Sequence, residues 1–248
     1  MFIHAINPVL LTVFGLEIRY YGLIYVVSFI LAYFILKKLS KEKEINLNVE
    51  DFLFYIVIGA IVGARIFYVL FYNLNYFILN PEEIIMLWKG GLSFHGGLVG
   101  AIIAGIIYSR IKKLNFWKLA DISVIPLAFS LFLGRIGNFI NGELYGRITN
   151  VSWAVKFPNQ DVYRHPSQLY ESLKNLFIFI VLIFTRKTAH KPGFQFALFM
   201  GLYSVLRFIV EFFRAPDPQI GLIYGLTLGQ ILNIPLFLIS LYLLIVKR

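Results

Sequence analysis

Apolar runs of ~18 residues or more recur along the whole chain, and no other feature restricts its fold as strongly. Each run is long enough to cross a bilayer as an α-helix. Composition agrees, because only 15% of the 248 residues are charged and 59% are hydrophobic. A soluble domain carries about 25% charged residues. The runs predict an all-α polytopic membrane protein with seven transmembrane helices, at about 17–37, 51–72, 93–111, 119–140, 167–185, 194–213 and 225–246. These form a single transmembrane domain over residues 1–248.

The formal charge of +10 suggests nucleic acid, but its distribution argues against that partner. Basic residues gather between apolar runs: Lys37, Lys38, Lys41 and Lys43; Arg110, Lys112, Lys113 and Lys118; Arg186, Lys187 and Lys191; Lys247 and Arg248. Those clusters mark alternate chain reversals, as cytoplasmic loops do under the positive-inside rule. The N-terminus is therefore expected outside and the C-terminus in the cytoplasm, and an odd number of spans requires opposite ends. With no Lys or Arg in the first fifteen residues, the start does not resemble a cleaved signal peptide. Cysteine is absent, which excludes disulfides, Cys-based metal sites and a thiol nucleophile of the chain's own. No metal or cofactor is expected. A segment at about 73–91, with a helix-start signature at Asn80-Pro81 and with Trp88, should lie along the outer interface. The longest polar loop, about 141–166, is also outside and too short for a separate domain.

Charge inside a bilayer costs ~2.5–3.5 kcal/mol per group even on the lenient scale, so each one needs a reason. The groups in question are Arg19, Arg65, His95, Arg135, Glu143, Arg207 and Glu211, with Tyr20, Tyr21, Asn138 and Asn141 nearby. Given the orientation above, five helices bring them to one depth on the outer-leaflet side, while the inner halves are nearly featureless. Arg135 and Asn138 share a helix face, and Arg207 and Glu211 are spaced to pair. Guanidinium groups suit phosphate oxygens through paired donors, and the natural anion at that depth is a phospholipid headgroup.

Every one of these residues also has a plainer role. Arg65 reads equally as a side chain snorkelling to the interface, Arg19 as a helix-end anchor, and Arg207 with Glu211 as structural glue. His95 alone reads as a packed histidine, Asp121 as a helix-start acid, and His4 and His190 as exposed. Convergence at a single depth favours a site, since glue would be scattered.

The stretch "GRIGNFINGELYG", 134–146, resembles the signature of the prolipoprotein diacylglyceryl transferases, Gly-Arg-x-Gly-Asn-Phe-x-Asn-x-Glu-x-x-Gly, at every fixed position. "YYGLIY" at 20–25, "GGLSFHGGLVG" at 90–100, "HPSQLYE" at 165–171 and "YSVLRFIVEFFR" at 203–214 are similar to that family in the same order. The resemblance implies an enzyme of the bacterial inner membrane that faces the outer leaflet. It would move the diacylglyceryl group of phosphatidylglycerol to the lipobox cysteine thiol of a prolipoprotein and release glycerol phosphate. Its partners would be that lipid, the prolipoprotein signal peptide and the surrounding membrane lipids. By motif, the family's essential residues carry over to Tyr21, His95, Arg135, Asn138, Glu143, Gly146, Tyr203, Arg207 and Glu211, with Asn141 beside them. Arg135 and Arg207 would hold the phosphate, and His95 is the candidate proton acceptor or a positioning group. Asn138 and Tyr21 would fix the headgroup, Glu143 and Glu211 would orient the arginines, and Gly146 would allow a sharp turn. His165 and Glu171 stand second, because "HPSQLYE" reads equally as structural. A transporter would need a relay of polar groups in the inner halves, which is missing. An intramembrane protease would need a Gly-x-Ser-Gly serine, paired membrane aspartates or His-Glu-x-x-His, and none is present. A lipid-binding structural protein would use the arginines without His95.

Overall fold

The structure is a computed structural model describing residues 1–188, 190–216 and 223–247, apart from the side chains of Phe94 and His95. Among the described residues the chain forms eight α-helices: α1 Tyr20–Glu42, α2 Val49–Phe71, α3 Leu74–Leu79, α4 Phe94–Ile111, α5 Phe116–Asn141, α6 Ser167–Thr185, α7 Phe194–Glu211 and α8 Leu228–Lys247. Four short strands accompany them: β1 Phe2–Ile3, β2 Val9–Val13, β3 Leu16–Arg19 and β4 Val155–Lys156. Six of the described helices (α1, α2 and α5 to α8) are long and apolar enough to cross a membrane.

The burial pattern is that of a membrane protein. Helix α6 buries Gln168, Glu171, Lys174 and Asn175 while exposing Leu173, Phe177 and Phe184. Helix α8 buries Gln230, Asn233 and Ser240 and exposes Leu232, Leu236 and Leu238. Polar inside and apolar outside inverts the soluble rule, and the inversion places these faces against lipid hydrocarbon.

The first expected helix, from 17, is corrected. Residues 9–19 form a hairpin, β2 antiparallel to β3, and α1 begins only at Tyr20. The turn holds Phe14 at φ 50° and Gly15 at φ 81°. Two consecutive residues in the left-handed region match the twist of a tight hairpin and stop the helix from starting earlier. Arg19 therefore ends a strand, where its Nη2 donates to Glu17 at 2.7 Å, and both side chains are exposed.

The chain divides into two compact units, one of residues 36–120 and one of residues 1–35 with the chain from 121 onward. In the first of these, α2 packs on α4 through glycines: a Cβ on Gly63 would come within 2.7 Å of Gly100 Cα. Backbones approach that closely only without side chains. Arg65 is buried on α2 and does not snorkel. Its guanidinium donates to the carbonyls of Glu83, Ile84, Met86, Gly90 and Gly91 at 2.6–3.3 Å. The same guanidinium lies over the Phe77 ring of α3 at 5.1 Å, so one side chain fastens α3 and the two 3-10 turns, Pro81–Ile85 and Leu87–Lys89, into the expected 73–91 segment.

In the other unit α6 packs on α7, and α7 on α8. Asp121 lies inside α5 and caps a different helix from the one expected. Its carboxylate accepts from the Gly193 and Phe196 amides at 2.7 and 2.9 Å, satisfying the open start of α7. His4 is also half-buried rather than exposed, its Nε2 2.7 Å from the Phe139 carbonyl. His190 is exposed, as expected.

Candidate active site

Glu171 is the centre of the polar cluster in this unit. It sits one turn into α6 with its side chain only 1% exposed. Arg207 of α7 pairs with it directly through Nη1, and Lys174 donates to its Oε2 at 2.9 Å. Arg135 of α5 and Arg214, just past α7, each bring a guanidinium nitrogen to 3.8 Å. Glu211 takes the second side of Arg207, with Nη2 at 2.7 Å, and also faces Arg214 at 3.8 Å. Three chain segments therefore supply four cations, Arg135, Lys174, Arg207 and Arg214, around the two carboxylates of Glu171 and Glu211. The balance is positive, so the cluster is not self-compensated and its chemistry suits an anion.

Arg135 is, with Arg214, the part of the cluster most open to a ligand. Its side chain is 21% exposed, with Arg214 level at 20%, against 14% for Arg207. Its Nη1 lies 3.4 Å from Asn138 Oδ1, and Asn138 in turn donates to Glu143 at 2.9 Å. Glu143 therefore acts on Asn138 and Asn141, not on an arginine as expected; Asn141 donates to it at 3.2 Å. Tyr21 packs over Gly137, where a Cβ would come within 2.8 Å of its ring, and its hydroxyl pairs with that of Tyr25 at 3.0 Å. Tyr203 offers its ring face to Lys174 at 3.9 Å.

The sharp turn after α5 belongs to Gly142 and Leu144, both at positive φ (68° and 56°), and not to Gly146. Gly146 serves close approach instead: its amide donates to the His165 carbonyl at 2.9 Å, and a Cβ there would come within 2.8 Å of His165 Cβ. The chain beside it bridges Gly146 to Arg214, and Arg147 donates to the Arg214 carbonyl at 2.9 Å. That pairing sets the backbone of Arg214 next to Glu171's helix. "HPSQLYE" is similarly dense in tasks. Ser167 and Gln168 hold the Leu144 and Glu143 carbonyls, and Tyr170 joins His165 to Trp153. Burial lowers the pKa of His165 and favours its neutral form.

Lys174 and Arg214 are not among the expected site residues, and Glu171, expected to stand second, is the group the four cations surround. A lysine three residues past a helix-start acid reads as a snorkelling side chain, and only the folded contacts show it buried. Gly229 also went unread: it opens α8 where a Cβ would lie 3.2 Å from the Glu211 carboxylate. Arg65 belongs to the other unit with partners of its own. The side chain of His95 lies outside the described residues.

Helices with apolar outer faces and half-buried guanidinium groups massed around two carboxylates define a polytopic membrane protein with an internal cluster of surplus positive charge. Comparison with known proteins gives that class its family. The family profile described as "Prolipoprotein diacylglyceryl transferase" matches residues 8–246, and the chain belongs to that family. A protein of Geobacter sulfurreducens called phosphatidylglycerol–prolipoprotein diacylglyceryl transferase is 46% identical over 242 residues, covering 95% of this chain and 93% of its own. Proteins of the same designation from Rickettsia bellii (46% identical, 97% and 95% covered) and Rickettsia rickettsii (45%, 96% and 96%) are similarly close.

Proposed function

We infer that the chain transfers the diacylglyceryl group of phosphatidylglycerol to the lipobox cysteine of a prolipoprotein. Family membership and relatives named for this reaction support that activity over nearly the whole length. The observation that carries the site assignment is the surplus of cations around Glu171 and Glu211. The substrate thiolate attacks the glyceryl carbon bonded to phosphate oxygen. A C–S bond forms, the C–O bond breaks with its electron pair going to oxygen, and glycerol phosphate leaves. Fixed guanidinium groups in a low-dielectric site stabilise the charge that builds on the departing phosphate. Arg135 and Arg207 hold that phosphate, Asn138 and Tyr21 position the headgroup, and His95 is the candidate acceptor of the thiol proton. A free thiol has a pKa of ~8.5, so the same positive field also favours the thiolate. The reaction needs no cofactor, since the lipid is itself the substrate.

The same reading places seven spans in a bacterial inner membrane, N-terminus out and C-terminus cytoplasmic, with the cluster toward the outer leaflet and α4 as the third span. Alternate basic loops support it.

Purified protein in phosphatidylglycerol vesicles should lipidate a lipobox peptide and release glycerol phosphate in equal amounts. Absence of both products from folded protein ends the transferase reading. Arg135→Ala should lose about 10²–10³ in turnover, the scale set by removing one preorganised donor. His95→Gln with full activity across a pH series would remove His95 as the essential base.

A further inference from the structure

We propose that Lys174 is a positioning residue that sets the charge of the anion site, holding Glu171 so that the arginines keep a surplus matched to the leaving phosphate. This rests on the transferase reading above. Glu171 and Lys174 are 1% and 2% exposed at their side chains, so the lysine is not reaching for water. Its ammonium is fixed on two sides, by Glu171 Oε2 at 2.9 Å and by the Tyr203 ring at 3.9 Å. Arg207 approaches the other oxygen of Glu171, Oε1, and Arg214 lies 3.8 Å from that same oxygen. Lys174 thus occupies Oε2, where Arg135 stands off at 3.8 Å, and limits how strongly Glu171 draws Arg135 in.

Electrostatics gives the arrangement its purpose. Three guanidinium groups and two carboxylates would carry one net positive charge, and Lys174 makes it two. A buried cation beside three half-buried ones raises the energy of the empty cluster, and an anion relieves it. A phosphodiester brings one negative charge. Once the C–O bond breaks, the phosphate monoester left behind carries up to two. The added positive charge is therefore better satisfied as the bond breaks than in the ground state, and differential stabilisation of that kind acts on turnover rather than on binding.

The test compares Lys174→Met, Lys174→Arg and wild type in phosphatidylglycerol vesicles, with folding checked by gel filtration and thermal melting in detergent. Lys174→Met should lower kcat about tenfold or more and leave KM within about twofold, while Lys174→Arg retains most of kcat. If Lys174→Met does not fold, Lys174→Gln, neutral but still able to bond Glu171, takes its place in the comparison. Calorimetric titration of the detergent-solubilised protein with glycerol phosphate should show weaker binding in the neutral variants. Wild-type kcat in a folded neutral variant overturns the proposal whatever its glycerol phosphate affinity, as does a loss confined to KM. Titration needs no turnover, so the two readings separate. A wild-type chain that binds glycerol phosphate in a Lys174-dependent way yet makes no thioether loses the transferase reading alone. Normal turnover in the neutral variant loses the Lys174 role alone.

Discussion

Arg207 meets two carboxylates from different helices at once, Glu171 on α6 and Glu211 on its own helix. A planar guanidinium can face both and still present N–H donors to a third group, whereas an ammonium is a single point charge. Arg207→Lys should therefore abolish most turnover, by about 10²–10³, although it keeps the formal charge. Turnover and thermal melting measured on the same preparation check this, and near-normal kcat in a folded variant would show that charge alone suffices. Arg135, Asn138, Arg207 and Glu211 were legible beforehand, because polar groups in an apolar helix stand out and their i+3 and i+4 spacings follow from the helix itself. Glu171 was not. Near the start of a helix an acid has an ordinary explanation in the helix dipole, and its three arginine partners lie on α5, on α7 and past the end of α7. No local pattern encodes that meeting.

Elements were legible wherever apolar length or a cap announced them, and misread where two structures share one composition. Residues 9–37 carry only Glu17, Arg19 and Lys37 as charges, and the hairpin within them is marked only by its turn, Phe14-Gly15, a weaker signal than Asn-Gly. The 73–91 segment was recognisable from Asn80-Pro81, but what holds it was not, since Arg65 is 18–26 residues upstream of its five carbonyl partners. Those bonds predict an outcome for the element. Arg65→Met keeps the apolar stem and removes every donor, leaving the carbonyls of 83–91 without their shared partner. The segment should lose order before the α2–α4 pair does. Hydrogen exchange should quicken at its amides first, with a stability loss of roughly 2–4 kcal/mol. Unchanged exchange across 81–91 would mean that the segment is held by its own turns. The Lys89–Glu83 pair at 2.5 Å does not compensate, because both ends lie within the segment itself.

For the whole molecule the decisive element is α4. At 18 residues, Phe94–Ile111, it is about 27 Å long at 1.5 Å per residue, a little short of the ~30 Å hydrocarbon core. Local thinning of the bilayer and flanking side chains accommodate such a deficit at modest cost, and Arg110, Lys112 and Lys113 flank its end. A crossing α4 puts Lys43 and Lys113 in the cytoplasm and Asn150 outside. If α4 instead stays on the outer side, Lys113 moves outside and Asn150 inside, while Lys43 does not change. The chain contains no cysteine, so single substitutions Lys43→Cys, Lys113→Cys and Asn150→Cys each report without background. In intact spheroplasts a membrane-impermeant maleimide should label only the Asn150 variant, with the other two labelled after lysis. Labelling of the Lys113 variant before lysis, together with loss of it at 150, would reduce the protein to six spans. That result would also reverse the side on which the turn at Gly142 and Leu144 opens, and with it the leaflet from which the proposed phosphate site would draw lipid.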